Sequence, residues 1–102
     1  MTVRNRKLLD IAHSAPCQAQ FPHNCTGWQG CEPAHSDSQT FGRGCGHKSN
    51  DWAVAFICHN AHEMLGTRIN PVFDREQKQA EWLRAYVATQ NYLWTNGKVK
   101  VA

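Results

Sequence analysis

The sequence predicts a small α+β domain, and three observations carry that expectation. Between Asp74 and Asn96, apolar residues recur at a helical period. A short apolar run, from Asp51 to Ile57, leads directly into Cys58, His59 and His62, three metal-capable side chains within five residues. The chain has 102 residues, a hydrophobic fraction of 41% and four Trp, which suits one modest core spanning 1–102 that would gain from a metal staple.

Charge and cysteine content narrow the functional classes. A net charge of +3 permits a polyanionic partner without demanding one. No apolar run approaches the roughly 18 residues of a membrane span, so no membrane partner is expected. The basic N-terminus lacks the continuous apolar stretch of a secretory signal, so the expected location is cytoplasmic. In that reducing compartment five irregularly spaced Cys read as metal ligands or plain thiols rather than a disulfide framework.

Residues 4–13 read as a short basic helix with Leu8, Leu9 and Ala12 inward and Arg4, Arg6 and Lys7 outward, either a solvated turn or a phosphate-contacting edge. Pro16 ends it. Cys17 and Cys25 follow with seven residues between them, and Pro22 and Asn24 favour a turn there. Such a loop can bring two thiolates to one ion, but the same spacing suits two small buried side chains.

Residues 36–51 form a polar, glycine-rich connection carrying Arg43, His47 and Lys48, a composition suited either to phosphate contact or to an ordinary surface loop. Residues 51–57 read as a strand or one helical turn, and 59–65 as a short helix stopped by Gly66. His62 stands four residues after Cys58, so a helix starting there stacks the two side chains one turn apart.

The long helix has Asp74 as N-cap and Gln77 at the capping-box position. Trp82, Leu83, Tyr86, Val87, Leu93 and Trp94 are expected to form its core face, and Gly97 to close it. Residues 98–101 alternate like a terminal edge strand.

Taken in order, a Cys pair, a His before a long loop, an Asp, and Cys-x-x-x-His opening a helix resemble the ββα-metal (HNH) nuclease finger. A wider resemblance rests on RKLLDIAH at 6–13, the Cys17/Cys25 spacing, Ala34-His35, Gly42-Arg43-Gly44, Lys48, Asp51, Cys58 through His62, and EWLRA at 81–85. These look like the YbcO-type prophage nuclease family, similar at the finger to the phage Ref nuclease.

The resemblance implies an HNH-like ββα-metal finger with a short N-terminal helix and the long C-terminal helix behind it. It implies a metal-dependent DNA endonuclease acting in recombination or replication in a bacterial host, with DNA and a recombination protein as partners. His35 would be the general base and His62 would hold catalytic Mg²⁺ or Mn²⁺. Asp51 would orient His35 or hold the loop, and Arg43 and Lys48 would grip phosphates. Cys17, Cys25 and Cys58 would bind structural Zn²⁺.

Two departures stand out. The family's further zinc cysteine falls at Ala61. Structural zinc is almost always four-coordinate, so His59, His23, Cys31 or Cys45 supplies the fourth ligand, or a water completes a weak site, or zinc is absent. Many HNH motifs also carry a metal-binding Asp where this chain has Ala34, leaving Asp37 and Asp51 as candidate replacements. Taken singly, His13, His23 and His47 read as ordinary polar residues. The competing function is a non-catalytic zinc-finger-like DNA-binding or interaction module. A redox role is weaker, because no Cys-x-x-Cys is present.

Overall fold

The structure is a computed structural model that describes residues 4–36, 50–66 and 73–98. Among these, three helices accompany one two-stranded antiparallel sheet: α1 (Arg6–Ile11), β1 (Glu32–His35), β2 (Val54–Ile57), α2 (His59–Gly66) and α3 (Arg75–Thr95). The α+β expectation holds. The alternating sequence expected at 98–101 lies outside the described residues beyond Lys98, as do Asp37, Arg43, Cys45, His47 and Lys48.

Helix α1 is shorter than expected because Asn5 caps it, its side chain accepting the Leu8 N–H at 3.1 Å. The chain then tightens into a 3₁₀ turn at Ala12–Ser14, with Ala12 fully buried. The Ala12 carbonyl accepts from Cys31 N–H at 3.1 Å, which ties this turn to the start of β1.

The ladder pairs Glu32 with Ile57, Pro33 with Phe56, Ala34 with Ala55 and His35 with Val54. All four β2 residues are buried, which explains the unbroken apolar sequence, for a strand covered on both faces shows no alternation. Its edge facing away from β1 is also occupied. The Phe56 carbonyl accepts from Gln18 N–H at 2.9 Å, and the Phe56 N–H donates to Thr89 Oγ1 at 2.9 Å. Phe56 thus directs both backbone groups away from β1, and Pro33 opposite it loses no ladder bond.

Helix α3 lies against β2. Its capping box is present, with Asp74 accepting from Gln77 N–H at 2.8 Å and Gln77 accepting from Asp74 N–H at 2.9 Å. The inward face differs from the expected one. Ala85, Thr89 and Leu93 are buried and Trp82 and Tyr86 pack beside them, whereas Leu83, Val87 and Trp94 are 49%, 52% and 51% exposed. Small Ala85 and Thr89 share the buried face with Leu93, while Leu83 and Val87 turn outward. Trp82 spans the layers, donating its indole N–H to the Ala34 carbonyl at 2.8 Å. Gly97, at φ 68°, ends the helix as expected.

Candidate metal centre and two histidine–carboxylate pairs

The end of β2 places Cys58, fully buried, where its N–H donates to Cys17 Sγ at 3.3 Å. Cys17 is held alongside because the next residue, Gln18, is bonded to Phe56. From there the chain loops through His23 and Cys25 into a 3₁₀ turn at Gly27–Gln29. A Cβ at Gly27 would lie 3.1 Å from Cys17 Cβ and 3.3 Å from Cys25 Sγ, so the turn closes tightly over the thiols.

These segments bring the Sγ atoms of Cys17, Cys25 and Cys58 and a ring nitrogen of His23 within 4.8 Å of one another. This Cys3His group could hold a metal ion such as zinc, and two details fit that ion. A tetrahedral zinc about 2.3 Å from sulfur and about 2.0–2.1 Å from nitrogen sets S···N edges of roughly 3.6 Å; Cys17 Sγ and His23 Nε2 are 3.7 Å apart. His23 Nδ1 donates to the Phe21 carbonyl at 2.7 Å, which leaves Nε2 as the lone-pair nitrogen facing sulfur.

The electrostatics also favour a cation. A hydrogen bond from the Cys31 thiol, against the cost of burial, draws the Cys17 thiol down to about 4, helped by the N–H groups of Ala19 and Cys58. Cys31 is pushed up by that same bond and by burial, so it keeps its proton and serves as a donor to the group. Burial pushes Cys58 up, but the N–H groups of Ala61 and Thr26 outweigh it and leave it lowered. The Gly27 N–H pulls Cys25 down, yet burial and the charge on Cys17 and Cys58 prevail and raise it. Neighbouring sulfurs that compete for negative charge are relieved by a bound divalent ion.

His23 thus stands where a fourth ligand is required, and His59 does not. His59 follows Cys58 by one residue, and successive helical side chains diverge by about 100°. Its Nδ1 meets Glu32 Oε2 at 3.0 Å and its Nε2 meets Glu63 Oε1 at 3.2 Å. Ala61, where the resemblance led to the expectation of a further cysteine, is fully buried in the core.

The other predicted residues form two separate pairs. His35 Nε2 donates to Asp51 Oδ1 at 2.9 Å, and Asp51 also accepts from Asn5 N–H at 2.6 Å and Arg4 at 3.2 Å. Burial pushes the Asp51 carboxyl up, but these bonds, led by His35, outweigh it and hold it below the usual range. Arg4 is therefore engaged with Asp51. His62 instead donates through Nδ1 to Glu32 Oε1 at 2.8 Å. Glu32 and His35 are three residues apart on β1, so strand alternation turns them to opposite faces, and the two imidazoles engage different carboxylates.

Glu32 is the residue the sequence reading missed. The available signal was its position two before Ala34, which puts a carboxylate on the same face of β1. Partial burial pushes Glu32 up, but the bonds from His62 and His59 prevail and hold it low. With His59, His62, Glu63 and Gly66 it lines an open depression of about 340 Å³.

Comparison of the chain with protein-family models, curated proteins and solved structures returned no match in any of the three. Among the described residues no helix is long and apolar enough to cross a membrane.

Proposed function

We propose that this chain is a metal-dependent endonuclease of prophage type that hydrolyses DNA phosphodiester bonds, built on a zinc-stapled HNH-like finger. The observation that carries the reading is the His35–Asp51 pair. Asp51, 4% exposed, accepts the hydrogen bond from His35 Nε2–H and so leaves Nδ1 as the basic nitrogen. His35 removes a proton from the attacking water, and the negative Asp51 stabilises the imidazolium that results. The order β1, β2, α2 and the sequence of Cys, His and Asp positions support the same reading.

His62, with Glu32 beside it, is the candidate holder of a divalent ion, Mg²⁺ or Mn²⁺ by family resemblance. Such an ion supplies charge stabilisation at the scissile phosphate and the leaving oxygen. Arg43 and Lys48 remain the candidate phosphate contacts on sequence grounds, with a recombination protein as candidate partner.

Supercoiled plasmid incubated with the zinc-loaded protein and Mg²⁺ or Mn²⁺ should be nicked. His35→Ala should slow nicking by about 10²–10⁴-fold, the contribution of a positioned general base. Equal cutting by His35→Ala, at equal DNA affinity, would overturn the mechanism.

A second reading, a zinc-held DNA-binding or interaction module without hydrolysis, is favoured by one observation. His35 and His62 each engage their own carboxylate on opposite faces of β1. DNA binding with no cutting by the metal-loaded wild type would select it.

A further inference from the structure

Apolar side chains lie along two sides of α3, and the sheet covers one of them. Ala85, Thr89 and Leu93 make the buried side, while Leu83, Val87 and Trp94 stay half-exposed. At about 100° per residue, Leu83, Val87, Gln90 and Trp94 fall within roughly 60° of one another and face away from β2. Ala80, also exposed, extends this row, so steps of 3, 4, 3 and 4 residues run from 80 to 94. Such spacing is the seam of a coiled coil, which keeps one continuous stripe against another helix. Charge is distributed to match. Arg75, Glu76, Lys78, Glu81 and Arg84 all lie within 75–84, and 85–95 carries no charge.

We propose that this outer face of α3 binds the same face of a second copy of the chain, with the two helices antiparallel about a twofold axis. A self-pairing surface requires each residue of the row to meet a suitable one when the row is reversed. With the axis midway between Val87 and Gln90, Leu83 meets Trp94 of the second copy, Val87 meets its Gln90, and Ala80 reaches its Gly97 turn. The uncharged stretch 85–92 then covers itself at the centre and the charged residues fall at the rim, the usual anatomy of a protein interface. A parallel pair fails on the same residues, because each faces itself. It sets Glu76 against Glu76 and crowds Trp94 against Trp94 in single layers. Reversal carries Glu76 past the end of the opposite helix and opposes the two helix dipoles.

The contact is one helix wide, which fixes its strength. A seam of roughly 25 Å buries on the order of 800–1,000 Å² in total, at the low end of specific interfaces. The dimer is therefore weak and reversible, with a Kd on the order of 100 µM.

Sedimentation equilibrium of the zinc-loaded chain from about 20 µM to about 1 mM should show its mass rising toward twice that of one chain. Leu83→Glu should weaken pairing by at least about 10-fold, since it takes a charge into the seam. Gln90→Leu, which adds an apolar side chain from each copy at the centre, should tighten it by roughly 10-fold or more. Circular dichroism and zinc content should stay at wild-type values in both. The register is read by isotope-filtered NMR on a mixture of labelled and unlabelled wild type. Leu83 and Trp94 stand 11 residues apart, about 16 Å along one helix, so a Leu83 methyl to Trp94 indole contact can arise only between copies. A wild type that stays monomeric at about 1 mM overturns the proposal. So does a Leu83→Glu variant that pairs as tightly, or contacts of Leu83 with Leu83 and none with Trp94. A monomer whose DNA affinity falls in Leu83→Glu would assign this face to nucleic acid and overturn the second copy as well. None of these measurements uses DNA cleavage, so the nuclease reading stands or falls separately.

Discussion

Thr89 Oγ1 accepts the Phe56 N–H at 2.9 Å while donating its own proton to the Ala85 carbonyl at 2.7 Å. One hydroxyl inside α3 thereby satisfies a β2 backbone group that has no strand beside it. Thr89→Val keeps the shape and strands that N–H in a dry interior, a cost of about 1–3 kcal/mol. Thermal unfolding of the zinc-loaded variant should show a melting temperature lower by roughly 4–8 °C for each kcal/mol lost. An unchanged midpoint would mean that a water or another group replaces the hydroxyl.

The metal-centre geometry separates two neighbouring candidates. His23→Ala should lower zinc affinity and reduce the zinc that co-purifies and is released by a mercurial, whereas His59→Ala should leave the zinc count at the wild-type value. Chelation of the wild type should lower its melting temperature, since zinc that binds only the folded form adds directly to stability. Full zinc retention by His23→Ala would remove it from the ligand set.

Gly30 has φ 97°, and a Cβ there would sit 2.3 Å from the His13 carbonyl oxygen. Backbone in this region costs a side-chain-bearing residue about 1–3 kcal/mol before any clash is counted. Gly30→Ala should therefore lower the denaturant midpoint by at least that equivalent. Wild-type stability would show that the turn and the Ala12–Ser14 segment separate freely.

Asp51 gives the protein an acid-sensitive component. Its folded pKa lies below the ordinary value near about 4, so its contribution is fully present above that value and is lost as pH falls through the depressed one. Asp51→Asn should cost about 1.5–3 kcal/mol at neutral pH, as expected for a hydrogen-bonded charge with 6% side-chain exposure. The gap from wild type should close on acidification. A gap that widens in acid would reverse the assignment.

The sequence made some features legible because they are local. The Asp74–Gln77 cap and the Gly97 stop follow from short-range signals, whereas the grouping of Cys17 and Cys25 with the distant Cys58 was expected only from the family resemblance. The buried face of α3 did not follow, because periodicity marks a stripe but not which of its residues meets the strand. Large residues drew the expectation toward Leu83 and Val87, while the buried face holds Ala85 and Thr89. Glu32 was hidden for a related reason, because its place on β1 marks a face but not that α2 brings His59 and His62 to it. His23 was one of four candidates for the fourth ligand, and only the turn that sets it against Cys17 selects it.

Cys58 both ends β2 and enters the sulfur group, so alignment of the hairpin and assembly of the metal centre are a single event. A slip of one residue between β1 and β2 would reverse which side chains point inward and carry the Cys58 thiol out of reach of its partners. A dication would therefore act as a proofreader of strand alignment, trapping the correctly matched ribbon. Folding without one should yield a mixture of registers that later addition of zinc resolves only as fast as the misaligned ribbons come apart.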